Sequence, residues 1–272
     1  MRINKMLINS LKAAIKPVKN DIDAYLKYYD NRMYQQWYFR YGKKIAKFKD
    51  IHKGESCFII GNGPSLKNMD LSPLKNYHTF GLNKIYLMFD KVDLNLSYHV
   101  AVNRLVIEQS VSEFESLQCP SFLSYIPAHT SISPLDHIYY ILTGGLCKFS
   151  SNPIEIICEG HTVTYVAMQI AFYMGFSKVF LIGVDHNFIA QGQPNEQQIL
   201  QGEDPNHFAP NYFGNQQWHL PDLEASEIHY HIAKFNYNRA NRQIYDATVN
   251  GKLQIFPKIS YEEALNKCRF SV

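Results

Sequence analysis

The feature that most constrains this chain is an apolar run that breaks off at two glycines and a proline, Ser56-Cys57-Phe58-Ile59-Ile60-Gly61-Asn62-Gly63-Pro64-Ser65-Leu66. A short apolar stretch without polar alternation fits a strand buried on both faces, as in a parallel sheet. The glycines and proline then fit a tight turn at the strand's carboxyl end. Gly61 and Gly63 lack Cβ atoms, so N–H groups here can face a phosphate or ribose, and Asn62 and Ser65 add side-chain donors and acceptors. An ordinary strand-to-helix turn fits the same residues. No Gly-Lys-Ser/Thr follows, so this is not a Walker loop, and no third glycine makes it a dinucleotide fingerprint.

Further strand-like runs follow at Thr79–Asn83, Leu94–Val100 and Ser121–Ser124, and the clearest is Val179–Ile182. Ser72-Pro73 reads as a helix start, and Asn103 opens a helix expected to reach Leu117. The stretch from Ile138 to Cys158 is ambiguous between strand and loop. Gly160-His161-Thr162-Val163-Thr164 leads into an apolar helix over Val166–Met174, so Thr162 or Thr164 either caps the helix or holds a phosphate at its N-terminus. Gly183-Val184-Asp185-His186-Asn187 is a second strand-end motif. Residues from about 188 to 222, rich in Gln, Asn, Gly and Pro, are too long for a simple connection and read as a lid. A helix over Leu223–Gln243, a last strand over Leu253–Phe256 and a capping box at Ser260-Tyr261-Glu262-Glu263 complete the chain. Strands alternating with helices predict an α/β, Rossmann-like, mainly parallel sheet, with ligands outside the strands' carboxyl ends.

With 272 residues, 46% hydrophobic and 19% charged, the chain can bury a full-sized core. No run of eighteen apolar residues and no secretory leader pattern occurs, which predicts a cytoplasmic protein. Five widely spaced cysteines without a C-x-x-C pair predict reduced thiols rather than disulfides or a zinc site. The net charge of +3 conceals an asymmetry: residues 1–50 carry 12 of the 27 basic residues but 4 of the 24 acidic ones. Ile3, Met6, Leu7, Leu11, Ile15 and Val18 recur at helical spacing among lysines, so residues 1–20 form a basic amphipathic helix. It suits either the anionic inner face of a membrane or a protein surface. The aromatic stretch Tyr25–Tyr41 reads as a packing helix, and Asp21-Ile22-Asp23 as a coincidental match to a metal-binding D-x-D. Residues 1–50 are thus expected to be an arm and 51–272 the catalytic domain. No RNA-binding pattern accompanies the basic charge, so nucleic acid is not an expected partner; homo-oligomerisation is left open.

Taken together, G-N-G-P-S-L, Asn83, Asn103, the threonine-rich helix start, G-V-D-x-N and Asn206-His207-Phe208 resemble the bacterial sialyltransferases of glycosyltransferase family 42, over roughly Cys57 to Leu265. The first motif is shared with a similar family, the pyrophosphokinases acting on 6-hydroxymethyl-dihydropterin. The sialyltransferase resemblance implies that Gly61, Asn62, Gly63, Ser65, Asn83 and Asn103 hold a CMP-sugar. It also implies that Thr162 lies at the donor phosphate, with Thr164 beside it as a further donor-site candidate from the helix start, and that His207 is the general base. Asp185 would position the ribose or orient a catalytic group. That family carries a tyrosine where this chain has Asn187, and Tyr212 is the candidate substitute for the phosphate contact. The implied reaction needs no metal and no cofactor beyond the CMP-sugar donor, and the acceptor is a glycan or lipid-linked glycan. The alternative is an ATP- and Mg²⁺-dependent pyrophosphokinase, for which Asp185 and Asp204 are a thin carboxylate set. A histidine metal site from His186, His207, His219, His229 and His231 is a third reading, without a recognisable ligand spacing.

Overall fold

The computed structural model describes residues 31–144, 148–189 and 192–268. The basic amphipathic segment, Asp21-Ile22-Asp23, the aromatics before residue 31 and Cys147 lie outside them. Short elements follow one another in α/β alternation: α1 (Arg32–Arg40), β1 (Ser56–Ile60), β2 (His78–Leu82), β3 (Tyr98–Ala101), α2 (Arg104–Gln109), α3 (Val111–Ser116), β4 (Ser121–Ser124), α4 (Tyr125–Ala128), β5 (Ile138–Gly144) and β6 (Ile156–Cys158). Then come α5 (Val163–Tyr173), β7 (Lys178–Ile182), β8 (Gln197–Ile199), β9 (Gln217–His219), α6 (Leu223–Arg239), β10 (Gln243–Asp246) and α7 (Tyr261–Cys268).

Eight strands form one parallel sheet in the order β10-β7-β1-β2-β3-β4-β5-β6, flanked by helices, while β8 and β9 pair as a separate antiparallel ribbon. Cys57 to Ile60 are wholly buried, as are Val179 to Ile182, which is why these strands read as unbroken apolar runs. From β1 the chain first winds outward through β2 to β6, then returns to place β7 on the other side of β1. Strand order therefore reverses at β1, and in such sheets the reversal leaves a crevice above the strands' carboxyl ends. The register pairs Ile60 with both Gly81 and Ile182, so the turns after β1, β2 and β7 open along one edge.

Helix α5 packs over β1, β2, β3 and β6, and nearly every one of its side chains is buried. Its apolar residues surround the axis instead of forming a stripe, as expected for a helix enclosed on all sides. The described part of the 1–50 segment adds to the same core. Trp37 is fully buried with its indole N–H donating to Tyr140 O at 2.8 Å, and Ile45 and Phe48 are buried too, the latter against Phe122 and Tyr139.

Several elements differ from the sequence expectation. The single helix expected from Asn103 to Leu117 is broken at Ser110 into α2 and α3. Ser72-Pro73 starts only a 3₁₀ turn, capped by Leu71, with the Ser72 N–H donating to Asp70 Oδ1 at 3.0 Å. Leu94 to Ser97 approach β3 without pairing. Leu253–Phe256 is not a strand. Its apolar residues are buried without sheet pairing: Phe256 meets Tyr230 at 5.8 Å between ring centroids, and Lys234 Nζ donates to Ile255 O at 2.6 Å. The edge strand is β10, four residues that follow α6 after a three-residue turn and whose short mixed pattern, Gln243-Ile244-Tyr245-Asp246, gave no strand signal. The capping box forms as expected, with the Glu263 N–H donating to Ser260 Oγ and the Ser260 N–H to Glu263 Oε2. Among the described residues no helix is long and apolar enough to cross a membrane.

Candidate active site

The turns after β1 and β7 are locked together. Gly61 N–H donates to Ile182 O at 2.8 Å and Gly63 N–H to Gly183 O at 2.9 Å. The Asp185 carboxylate accepts from Ser65 N–H at 3.0 Å and from Ser65 Oγ at 2.7 Å. This corrects the expected use of the glycine turn: these N–H groups are already engaged and do not face a phosphate. The glycines serve close approach instead. A Cβ on Gly61 would stand 2.3 Å from Gly183 O, and one on Gly63 1.8 Å from Asp185 Oδ2. Asp185 likewise clasps the two turns; burial raises its pKa, and the Ser65 hydrogen bonds partly offset this.

Two connected cavities lie above these turns. The smaller, about 160 Å³, is lined by Asn62, Thr164, Asp185, Asn187, Asn206 and His207 among others. The larger, about 600 Å³, includes Asn103, Glu159, His219 and His229. Asn83, His161, Thr162, Val163, Pro221 and Asp222 line both, so the two form one cleft, of a size that suits a nucleotide-class ligand.

Asn62 donates from Nδ2 to Leu82 O at 3.0 Å, while its buried Oδ1 has no partner. Asn83 adopts a left-handed backbone (φ 49°), and its buried Oδ1 is unpartnered too. Beneath it His99 is fully buried, with Nε2 2.8 Å from Asn83 O and Nδ1 2.7 Å from Ser121 Oγ. The carbonyl can only accept, so Nε2 carries the proton and Nδ1 accepts from the serine. Burial pulls the His99 pKa down to about 4, against a smaller upward pull from that carbonyl.

Asn103 caps α2: its Oδ1 accepts from the N–H groups of Leu105 and Val106, and Nδ2 lies 3.3 Å from His219 Nδ1. Thr162 caps α5, accepting from Thr164 N–H at 3.3 Å, and its hydroxyl lies 3.4 Å from Tyr230 OH. The capping role thus holds for Thr162, which also stands at the junction of the two cavities, where the positive end of the α5 dipole favours an anion.

His207 is held from all sides. Its Nδ1 is 2.8 Å from Asp204 Oδ2, and its ring lies flat on Tyr212 with centroids 4.0 Å apart. The edges meet Phe188, Phe213 and Trp218. The segment carrying it is pinned to the β1 turn by Phe208 N–H donating to Asn62 O at 2.9 Å. Asp204 also accepts the Asn206 N–H at 2.8 Å, which fixes the carboxylate's orientation. An ionised Asp204 accepts from Nδ1–H and leaves the lone pair on Nε2, the arrangement of a general base. The sequence reading weighed Asp204 only as a metal carboxylate; its signal was the D-x-x-H spacing. His161 and Asp222 were passed over, because nothing local marks them as cavity residues, and His229 was weighed only as a metal ligand.

Tyr212 does not replace the phosphate-contacting tyrosines. It is 2% exposed, lines neither cavity and accepts the Lys84 N–H at 3.2 Å, so its ring is a platform under His207. Lys84 ties the lid to α2 by donating from Nζ to Gln109 and Gln216, and burial lowers its pKa to about 8. Ser65 lines neither cavity. The five histidines do not converge: His186 meets Glu227 at 2.8 Å and His229 Nδ1 meets Ala225 O at 2.8 Å, each on its own element.

A parallel α/β sheet flanked by helices, with a cleft at its switch point, defines a Rossmann-like fold. Within that class the chain belongs to the MptE-like family, described as 6-hydroxymethylpterin diphosphokinase MptE-like, which it matches over residues 31–191. No curated protein matches it. Among solved structures it is similar to the MAf glycosyltransferase from Magnetospirillum magneticum AMB-1, at 14% identity and a TM-score of 0.48, over 81% of this chain and 38% of that one. The chain therefore spans well under half of that protein's length.

Proposed function

We propose that this protein is an inverting glycosyltransferase that moves a sialic-acid-like or other acidic sugar from a CMP-sugar to a surface-glycan hydroxyl, with His207 as general base. The observation that carries this reading is the His207–Asp204 pair at a cleft where the side-chain amide oxygens Oδ1 of Asn62 and Asn83 lack partners. Buried acceptors without donors are costly, and a nucleoside's hydroxyl and amino groups are donors that would complete them.

In this mechanism the acceptor hydroxyl attacks the anomeric carbon as its proton passes to His207 Nε2. The bond from that carbon to the phosphate oxygen breaks, and its electron pair leaves with CMP. Asp204 steadies the imidazolium that forms, and the N-terminus of α5 faces the charge growing on the phosphate. Residues 1–20 would hold the enzyme at an anionic membrane where lipid-linked acceptors lie.

Thermal-shift titration tests the donor: CMP and CMP-sugars are expected to raise the melting temperature, because they bind only the folded form. His207→Ala should keep that shift and lose turnover by about 10²-fold or more. No shift with any cytidine nucleotide would reject the reading.

The family description favours a second reading, transfer of pyrophosphate from ATP to a pterin alcohol. It requires a magnesium-dependent activity, lost in EDTA and restored by magnesium, together with stabilisation by ATP rather than CMP.

A further inference from the structure

At the opposite edge of the sheet from the cleft, three successive strands begin with polar side chains that meet. Glu55 directly precedes β1, His78 is the first residue of β2 and Tyr98 the first of β3. His52, one turn before Glu55, completes the group. Glu55 Oε2 lies 2.6 Å from His52 Nδ1 and 2.9 Å from His78 Nε2, and the three ligand atoms all fall within 4.8 Å of one another.

We propose that His52, Glu55 and His78 form a binding site for a divalent transition metal of the zinc class. Two imidazole nitrogens and one carboxylate oxygen are a donor set that suits zinc, with a fourth position open to water. Ligand atoms around a tetrahedral zinc stand roughly 3.3 Å apart, given metal–ligand distances near 2.0 Å, so the two Glu55 contacts need to open by less than about 1 Å and the two imidazole nitrogens to close by at most about 1.5 Å to admit the ion. Side-chain exposures of 34% for Glu55 and 27% for His78 give the ion a path in.

The surroundings have the character of a supporting shell. His52 Nε2 lies 2.6 Å from Tyr98 OH, so the phenol can accept the Nε2–H and turn the Nδ1 lone pair toward the ion. The His52 ring stacks on Phe176 at 4.5 Å between centroids, which fixes its plane. The loop backbone is anchored: His52 N–H donates to Met174 O, Gly54 N–H to Gly175 O, and Glu55 O accepts from Ser177 N–H. A bound ion would therefore pin the segment ahead of β1 to the start of β2. The site is distant from the cleft and does not depend on the nucleotide reading.

The test uses the full-length chain, stripped with EDTA and dialysed into metal-free buffer. Zinc is titrated against a chromophoric competing chelator, and cobalt is added separately for its visible absorption. One zinc equivalent bound more tightly than about 1 µM, with a rise in melting temperature and a four- or five-coordinate cobalt spectrum, is the expected result. Glu55→Gln and His78→Ala should each weaken zinc at least about 10-fold, while His129→Ala, at an exposed histidine elsewhere, should not. Folding of each variant is checked by its near-ultraviolet circular dichroism. Zinc affinity that survives both Glu55→Gln and His78→Ala, or a folded chain that binds no zinc at 10-fold excess, overturns the site and leaves a hydrogen-bonded triad. Stabilisation by CMP, measured in the same samples, reports on the cleft independently.

Discussion

Asp204 and His207 stand three residues apart in the lid, with Oδ2 2.8 Å from Nδ1 and the carboxylate almost wholly buried. Such a pair sets which imidazole nitrogen holds the proton and stabilises the charged ring once a proton arrives. Asp204→Asn keeps an oxygen for the Asn206 N–H but removes the charge. It should lower kcat by about 10²-fold or more and leave the donor KM within a few-fold. Steady-state kinetics with a CMP-sugar would show this, and an unchanged kcat would mean that His207 works without its neighbour.

The clasp between the β1 and β7 turns predicts two graded losses of stability. In Gly61→Ala the new methyl meets the Gly183 carbonyl, part of a backbone held by the sheet, so relief requires the strands themselves to shift. In Gly63→Ala it meets the Asp185 carboxylate, which can swing away by giving up its Ser65 bonds, and it touches the Gly183 carbonyl less severely, at 2.8 Å, so the backbone must yield less than in Gly61→Ala. Urea unfolding should show a loss of about 3 kcal/mol or more for the first and about 1–3 kcal/mol for the second. The reverse order would mean that the Asp185 side chain is held more rigidly than the turn backbone.

His99 gives the fold a defined acid sensitivity. Its folded pKa of about 4 lies below the ordinary imidazole value, so between those values the unfolded chain binds the extra proton. Stability from this residue is complete above about pH 6.5 and is lost as pH falls toward 4, by up to about 3 kcal/mol, because one pKa unit corresponds to about 1.4 kcal/mol. Urea midpoints measured across that range should fall with a slope close to one proton, and His99→Gln should flatten the slope. Because His99 carries Asn83, binding of CMP should weaken over the same range.

Tyr212→Phe separates the platform from a phosphate contact. Loss of the hydroxyl leaves the Lys84 N–H without its acceptor and should cost about 1 kcal/mol, while the ring stack on His207 persists. Donor KM is expected to stay within about two-fold of the wild type. A large rise in that KM would place the hydroxyl on the donor after all.

Much of the fold was legible because it rests on local rules. Cys57–Ile60 and Val179–Ile182 are continuous apolar runs because both of their faces are covered, and the Ser260–Glu263 cap is written in four residues. The β10 strand was not legible, since four residues beside a long helix carry too little pattern, whereas Leu253–Phe256 is apolar for burial alone. At the site, Asn62, Asn83 and Thr162 stand where strand-end and helix-start reasoning puts them, along one edge of the sheet, and His207, which the family resemblance singled out, lines the same cavity from the loop between β8 and β9. The roles of Gly61, Gly63, Ser65 and Tyr212 were misread because each depends on a partner about 120 residues away, as with Ser65 and Asp185, or on stacking that no spacing encodes.

The sequence by itself determined that short buried strands end in turns able to meet a ligand, and that a long polar lid carries a histidine. Only the tertiary structure decided that β7 returns beside β1, so that one turn's N–H groups are consumed by the other and the open acceptors are asparagine side-chain oxygens. The physical reason is that periodicity reports which faces are buried, whereas hydrogen-bond partners are assigned by strand order, and strand order is set by packing of the whole chain.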